Sequence, residues 1–134
     1  MKTLTKEEAR GYSPPALAFY GDCAWEILVR RSLLENGNAP SGKLHSRSVE
    51  LVRASFQSEA VDILEPMLSE EEADILRRGR NADGISVPKS SNPKDYHRAT
   101  GLEALFGYLF LIGDYARAYE LFEVVWNEKY KENQ

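Results

Sequence analysis

Two acidic residues set inside long apolar runs constrain this chain more than anything else in its sequence. The first is Asp22, within Leu17-Ala18-Phe19-Tyr20-Gly21-Asp22-Cys23-Ala24-Trp25-Glu26. The second is Glu103, within Ala99-Thr100-Gly101-Leu102-Glu103-Ala104-Leu105-Phe106-Gly107-Tyr108. A carboxylate on the sticky face of a helix is costly unless a partner neutralises it or a function uses it. One such residue is ordinarily tied to an arginine or a backbone N–H. Two of them, in the two most apolar segments, point to a pair of helices packed side by side with their carboxylates together. Gly21 and Gly107 cost helix propensity and are read as permitting that close contact. Hard oxygen ligands gathered in this way suit Mg²⁺, with Mn²⁺ as a substitute, better than zinc, and point toward phosphate chemistry.

A chain of 134 residues is expected to form one domain over 1–134, with a real core but little room for a separate nucleic-acid-binding module. Hydrophobic residues at 43% and charged residues at 28% disfavour disorder, and the apolar runs are broken by charge before bilayer length. Residues 1–11 lack the apolar segment of a signal peptide, and the lone Cys23 has no internal disulfide partner, so a reducing compartment, the cytoplasm, is expected. A net charge of -4 and a pI near 5.3 argue against a protein that coats nucleic acid by bulk electrostatics. Distribution matters more than the total. Arg77, Arg78, Arg80, Lys89, Lys94 and Arg98 crowd one segment against Asp83 and Asp95 alone, a candidate local anion-binding surface.

Residues 3–9 read as a short turn of helix ended by Gly11. Ser13-Pro14 is a strong start signal, an N-cap followed by proline where its missing N–H costs nothing, and the helix it opens is expected to run to Asn36 with Gly37 as its stop. Leu17, Tyr20, Ala24, Ile27 and Leu28 recur at helical spacing and are expected to face the core. After the turn-rich 38–42, Leu44, Val49, Val52 and Phe56 mark a third helix whose pattern continues through Ala60, Ile63 and Leu64 to a boundary at Pro66. Ser69-Glu70-Glu71-Glu72 is a capping-box signature, with Arg77 and Arg78 placed to favour the helix end. Residues 79–91 read as a long loop, the kind that is often functional. Asn92-Pro93 opens a helix through Glu103 to about Ile112, and a last helix carries Ala118, Leu121, Phe122, Val125 and Trp126. No segment reads as a strand, so the fold class is all-α. His45 and His97 lack metal-ligand spacing, and Cys23 is expected as a small buried residue. Tyr12, Tyr20, Trp25 and Trp126 are expected in the core or in a dimer interface.

Phe19-Tyr20-Gly21-Asp22-Cys23-Ala24 resembles the Glu-x-x-Glu-Phe-Leu-Gly-Asp-Ala-Val signature of ribonuclease III catalytic domains. Thr100-Gly101-Leu102-Glu103-Ala104-Leu105-Phe106-Gly107 resembles that family's second motif, Asp-x-x-Glu-Ala-Leu-x-Gly. Order and separation fit, and the intervening Arg77-Arg78-Gly79-Arg80-Asn81-Ala82, Ser86-Val87-Pro88-Lys89 and Tyr96-His97-Arg98 are similar to the Mini-III subfamily, which lacks the double-stranded-RNA-binding domain. The signature glutamates fall here on Pro15 and Ala18, and the second motif's aspartate falls on Thr100, so the acidic cluster is thinner than in larger relatives. Mini-III proteins are similarly depleted. Thr100 either holds a metal-bound water or bonds within its own helix.

The resemblance implies a single ribonuclease III-type helical domain that hydrolyses double-stranded RNA, with Asp22 and Glu103 as catalytic and metal-binding residues for Mg²⁺. It implies a homodimer with one site per subunit, 5′-phosphate products with a short 3′ overhang, and large-subunit (23S) ribosomal RNA precursor as the substrate. Arg77, Arg78, Arg80, Asn81, Lys89, His97 and Arg98 are the candidate RNA-binding residues, since A-form RNA is read mainly through phosphates and 2′-hydroxyls. The principal alternative is a non-catalytic RNA-binding or ribosome-associated module on the same fold. A weaker one is a helical interaction protein in which the two carboxylates are internal salt-bridge partners.

Overall fold

A computed structural model describes residues 1–130, so residues 131–134 of the expected single domain lie outside the described residues. Seven α-helices are present there and no strand: α1 (Lys6–Arg10), α2 (Pro14–Glu35), α3 (Ser41–Leu51), α4 (Ala54–Leu64), α5 (Glu70–Arg80), α6 (Pro93–Leu111) and α7 (Tyr115–Val125). A 3-10 turn over Glu65–Met67 follows α4, and a π turn over Trp126–Tyr130 follows α7. None of these helices is long and apolar enough to cross a membrane.

The fold is built around α6. Ten of its residues from Ala99 through Leu109, together with Phe110, are buried, with only Glu103 interrupting the run. A helix apolar on every side must be enclosed on every side, and α2, α4 and α5 supply the walls. Two glycine crossings set how closely they approach. A Cβ on Gly21 would fall 1.6 Å from the Glu103 carbonyl oxygen, and one on Gly107 would fall 2.0 Å from the Leu17 carbonyl oxygen. The backbones of α2 and α6 therefore touch. On the other side Gly79 meets Gly101, where a Cβ would lie 2.8 Å from the Gly101 Cα.

The start signals act as their sequences imply. Ser13 Oγ accepts from the Ala16 N–H, Ser69 and Glu72 close a capping box, and the Asn92 side chain accepts from the Asp95 N–H. Two expectations about helix bounds need correction. The pattern from Leu44 to Leu64 is not one helix: it breaks at Val52 and Arg53, with Arg53 extended (φ -67°, ψ 148°). No glycine or proline marks the break. The Trp25 indole, buried across the core, donates to the Leu51 carbonyl at 2.9 Å, so a tertiary bond takes up a carbonyl where α3 ends. The second correction is at Gly79, which is inside α5 and buried. The loop begins only at Asn81, because Gly79 is needed for the α5–α6 approach.

Trp25 anchors the core, with ring centroids 5.0 Å from Phe106 and 4.9 Å from Phe122 in edge-on geometry. Trp126 is buried with it. On α2 the buried face is Leu17, Ala24 and Leu28, whereas Tyr20 and Ile27, expected inside, lie at the surface. Cys23 is likewise exposed rather than buried, and Tyr12 is exposed. Tyr20, Cys23 and Ile27 turn outward because Gly21, Leu17 and Ala18 already occupy the side of α2 that meets α6.

Candidate metal and phosphate site

The Gly21–Gly107 crossing brings Asp22 beside Glu103. Because α2 rests on the α6 backbone at Glu103 itself, the residue after Gly21 is carried to the edge of the contact, where the charge of Asp22 acts on the Glu103 carboxyl and both line one cleft. Asp22 stands exposed and Glu103 half-buried behind it. They share a cleft of about 350 Å³ with Pro15, Ala18, Phe19, Val52, Ala54, Gln57, Ile85, Tyr96, Ala99 and Thr100.

Burial pushes the Glu103 carboxyl up to about 8, and the charge of Asp22 adds to the rise. A hydrogen bond from the Gln57 side chain opposes it, and one shared with Asp22 again raises it. The facing pair therefore favours holding a proton well above the ordinary carboxyl range. The donor set is two facing carboxylates with space in front of them, and among the described residues no group of three or more His, Cys, Asp or Glu converges. Mg²⁺ takes one or two carboxylates and keeps several waters, so these residues fit that ion. A cation seated there would replace the proton and relieve the repulsion.

Pro15 and Ala18 line the cleft where larger members of the resembled family carry glutamates, leaving its rim apolar. The Thr100 hydroxyl donates to the Tyr96 carbonyl at 3.0 Å, which is the bond within its own helix that its position allowed. The residue still lines the cleft.

The basic residues of the intervening segment are mostly engaged within the protein. Arg77 pairs with Asp74, and Arg80 lies 3.8 Å from Glu65. Arg78 donates to the Arg10 and Tyr12 carbonyls at 3.1 and 3.4 Å, pinning the α1–α2 link to α5. Arg98 pairs with Asp62 on α4. His97 has its Nδ1 buried without a hydrogen-bond partner among the described residues. Asn81 caps α5, and Lys89 is exposed in the loop that follows it. That loop does reach the carboxylates, through Ile85.

Sequence reasoning missed Gln57. It is 2% exposed, lies on α4 and bonds to Glu103. The signal was present: Gln57 precedes Ala60, Val61 and Leu64 at core spacing, a polar residue where the helix pattern calls for an apolar one.

Comparison with known proteins adds an independent line. The profile of the Ribonuclease III domain family matches residues 15–114, a span that contains both carboxylates. A Mini-ribonuclease 3 from a Thermoanaerobacter species is 41% identical over 90% of this chain and 85% of its own length. One from Symbiobacterium thermophilum is 43% identical over 82% of this chain and 85% of its own. A crystal structure of a Fusobacterium nucleatum protein superposes with a TM-score of 0.80 at 29% identity, covering 90% of this chain and 96% of the other.

Proposed function

This chain belongs to the ribonuclease III domain family and is an endoribonuclease, and on that premise we propose that it cleaves double-stranded RNA with Mg²⁺ held by Asp22 and Glu103. The observation that carries this reading is the facing pair itself, set in an open cleft with no basic side chain against it. When bound, Mg²⁺ supplies a water of lowered pKa and offsets charge building on the phosphate. The protein's part is to hold the two carboxylates together through the Gly21–Gly107 contact, to give up the Glu103 proton as the ion enters, and to limit water at the rim with Pro15, Ala18 and Val52.

The working molecule is a homodimer, with residues 1–134 acting as one catalytic domain in each subunit. Phe19, Cys23, Ile27 and Leu34 make an exposed stripe along α2, with Phe19 at 83% exposure. An apolar stripe about 20 Å long suits a self-complementary two-fold contact, and it begins three residues from Asp22. Two sites across a two-fold axis would each cut one strand and leave 5′-phosphates with a short 3′ overhang. The loop after α5 reaches the same cleft through Ile85, which supports assigning duplex contacts to Asn81 and Lys89. Arg77 and Arg80, held only by exposed ion pairs of small worth, are free to exchange them for phosphates, and Arg78, His97 and Arg98 support the surface from behind. The substrate we assign is large-subunit ribosomal RNA precursor, met in the cytoplasm.

The test is cleavage of a long RNA duplex with Mg²⁺, beside Asp22→Asn, Glu103→Gln and an EDTA control. Wild type is expected to cut. Each variant should lose at least about a thousandfold, the worth of several kcal/mol of charge stabilisation, while staying folded. A variant with near-normal turnover removes that carboxylate from the mechanism.

A further inference from the structure

Gln57 comes from α4, which begins after the break at Val52 and Arg53 and lines the cleft with Ala54 and Gln57. It is 2% exposed in a helix whose neighbouring inward residues, Ala60, Val61 and Leu64, are fully buried and apolar. A buried amide of this kind is retained only where its hydrogen bonds are made. Here the side chain lines the same cleft as Asp22 and Glu103, and its amide acts on the Glu103 carboxyl as a donor that opposes the rise burial imposes.

The identity of the residue matters as much as its place. An arginine or lysine at 57 would neutralise Glu103 and occupy with its own charge the position that a cation needs. A leucine or methionine would leave the carboxyl free to turn. Glutamine donates a hydrogen bond and brings no charge, so it can fix a carboxylate without competing for it. Partners of this outer kind orient metal ligands, and their loss typically costs about 10–100-fold in metal affinity or activity.

We propose that Gln57 is a positioning residue of the metal site, holding Glu103 turned toward Asp22 so that both carboxylates meet one divalent cation. The inference rests on the reading of Asp22 and Glu103 as metal ligands.

Two measurements test it, and both include wild type and Asp22→Asn as controls. In the first, Mn²⁺ is titrated into each protein and into Gln57→Met, which keeps the length of the side chain and removes the donor. Gln57→Met should bind about 10–100-fold more weakly than wild type, with half-maximal cleavage moving to correspondingly higher Mg²⁺. In the second, wild-type protein labelled on glutamine nitrogen is titrated with Mg²⁺. Gln57 and Gln134 are the glutamines of the chain, and the Gln57 side-chain NH₂ signal should shift in step with ion binding. This second measurement holds even where Gln57→Met fails to fold. Wild-type affinity in a folded Gln57→Met, or an unmoved Gln57 NH₂ at saturating Mg²⁺, overturns the role of Gln57 alone. No binding by wild type, or equal binding by Asp22→Asn, overturns the metal site itself.

Discussion

Two carboxylates drawn out of water beside α6 and α7, Glu72 and Glu103, are treated in opposite ways. Glu72, in the first turn of α5, is 7% exposed and is answered on every side. Arg117 of α7 donates to both of its oxygens, Nη2 to Oε1 at 2.8 Å and Nε to Oε2 at 2.9 Å, and the same guanidinium binds the Met67 carbonyl at 2.8 Å. The Ser69 N–H adds a third bond. Burial alone would push the Glu72 carboxyl up, but the Arg117 and Ser69 hydrogen bonds outweigh it and hold it below the ordinary value. Glu103 has another carboxylate for its neighbour, one neutral amide as donor, and a pKa of about 8. A carboxylate that serves the fold brings its cation on the chain; one that serves chemistry leaves the cation to be supplied.

Exchanging their fates is the sharpest way to break that contrast. Arg117→Met should cost about 3 kcal/mol, since it strands a buried charge, lowering the melting temperature by on the order of 10 °C. Cleavage at a temperature where the fold persists should stay near the wild-type rate. Glu103→Gln should do the reverse, removing cleavage while raising the melting temperature of the metal-free protein at pH 8 by about 5 °C. Both are read by thermal melts beside a cleavage assay. A Glu103→Gln protein less stable than wild type without metal would mean that the pair is a structural bond rather than a stored repulsion.

The smaller effect lies in pH. Glu103 has its folded pKa raised from the ordinary 4.5 to about 8, so between those values the folded state holds the extra proton, and its contribution to stability falls as pH rises. Glu72 is lowered from 4.5, so its contribution is present in full above that value and is lost as pH falls through the folded pKa. Metal-free protein should therefore lose stability on both limbs. Melts across pH should show the alkaline limb vanish in Glu103→Gln and with saturating Mg²⁺, while the acid limb remains. Cation affinity should rise as pH passes through about 8, because the proton on Glu103 competes with the ion.

Much of this was legible in the chain before any coordinates. Ser13-Pro14, Ser69 with Glu72, and Asn92-Pro93 are local devices, and each acts within three residues of itself. Asp22 and Glu103 stood out because a carboxylate breaks an apolar period, and Gly21 and Gly107 stood beside them as the means of approach. What escaped depends on partners distant in sequence. The break between α3 and α4 has no local punctuation and coincides with a bond from Trp25, 26 residues away. Arg98 and Asp62 are 36 apart, and Arg78 bonds carbonyls 66 and 68 residues away, so no inspection of the basic segment could separate its structural arginines from its exposed lysines. Gly79 looked like a loop opening because glycine usually is one, whereas here its missing Cβ lets two helices touch.

The central claim is that Asp22 and Glu103 wait for a divalent cation, and calorimetric titration of Mn²⁺ into the folded protein at pH 7 tests it most directly. Run in buffers of different ionisation enthalpy, it should show binding coupled to release of about one proton, retained in Arg117→Met and lost in Asp22→Asn and Glu103→Gln. Binding of equal strength in wild type and Glu103→Gln, or no binding in wild type, would contradict the account.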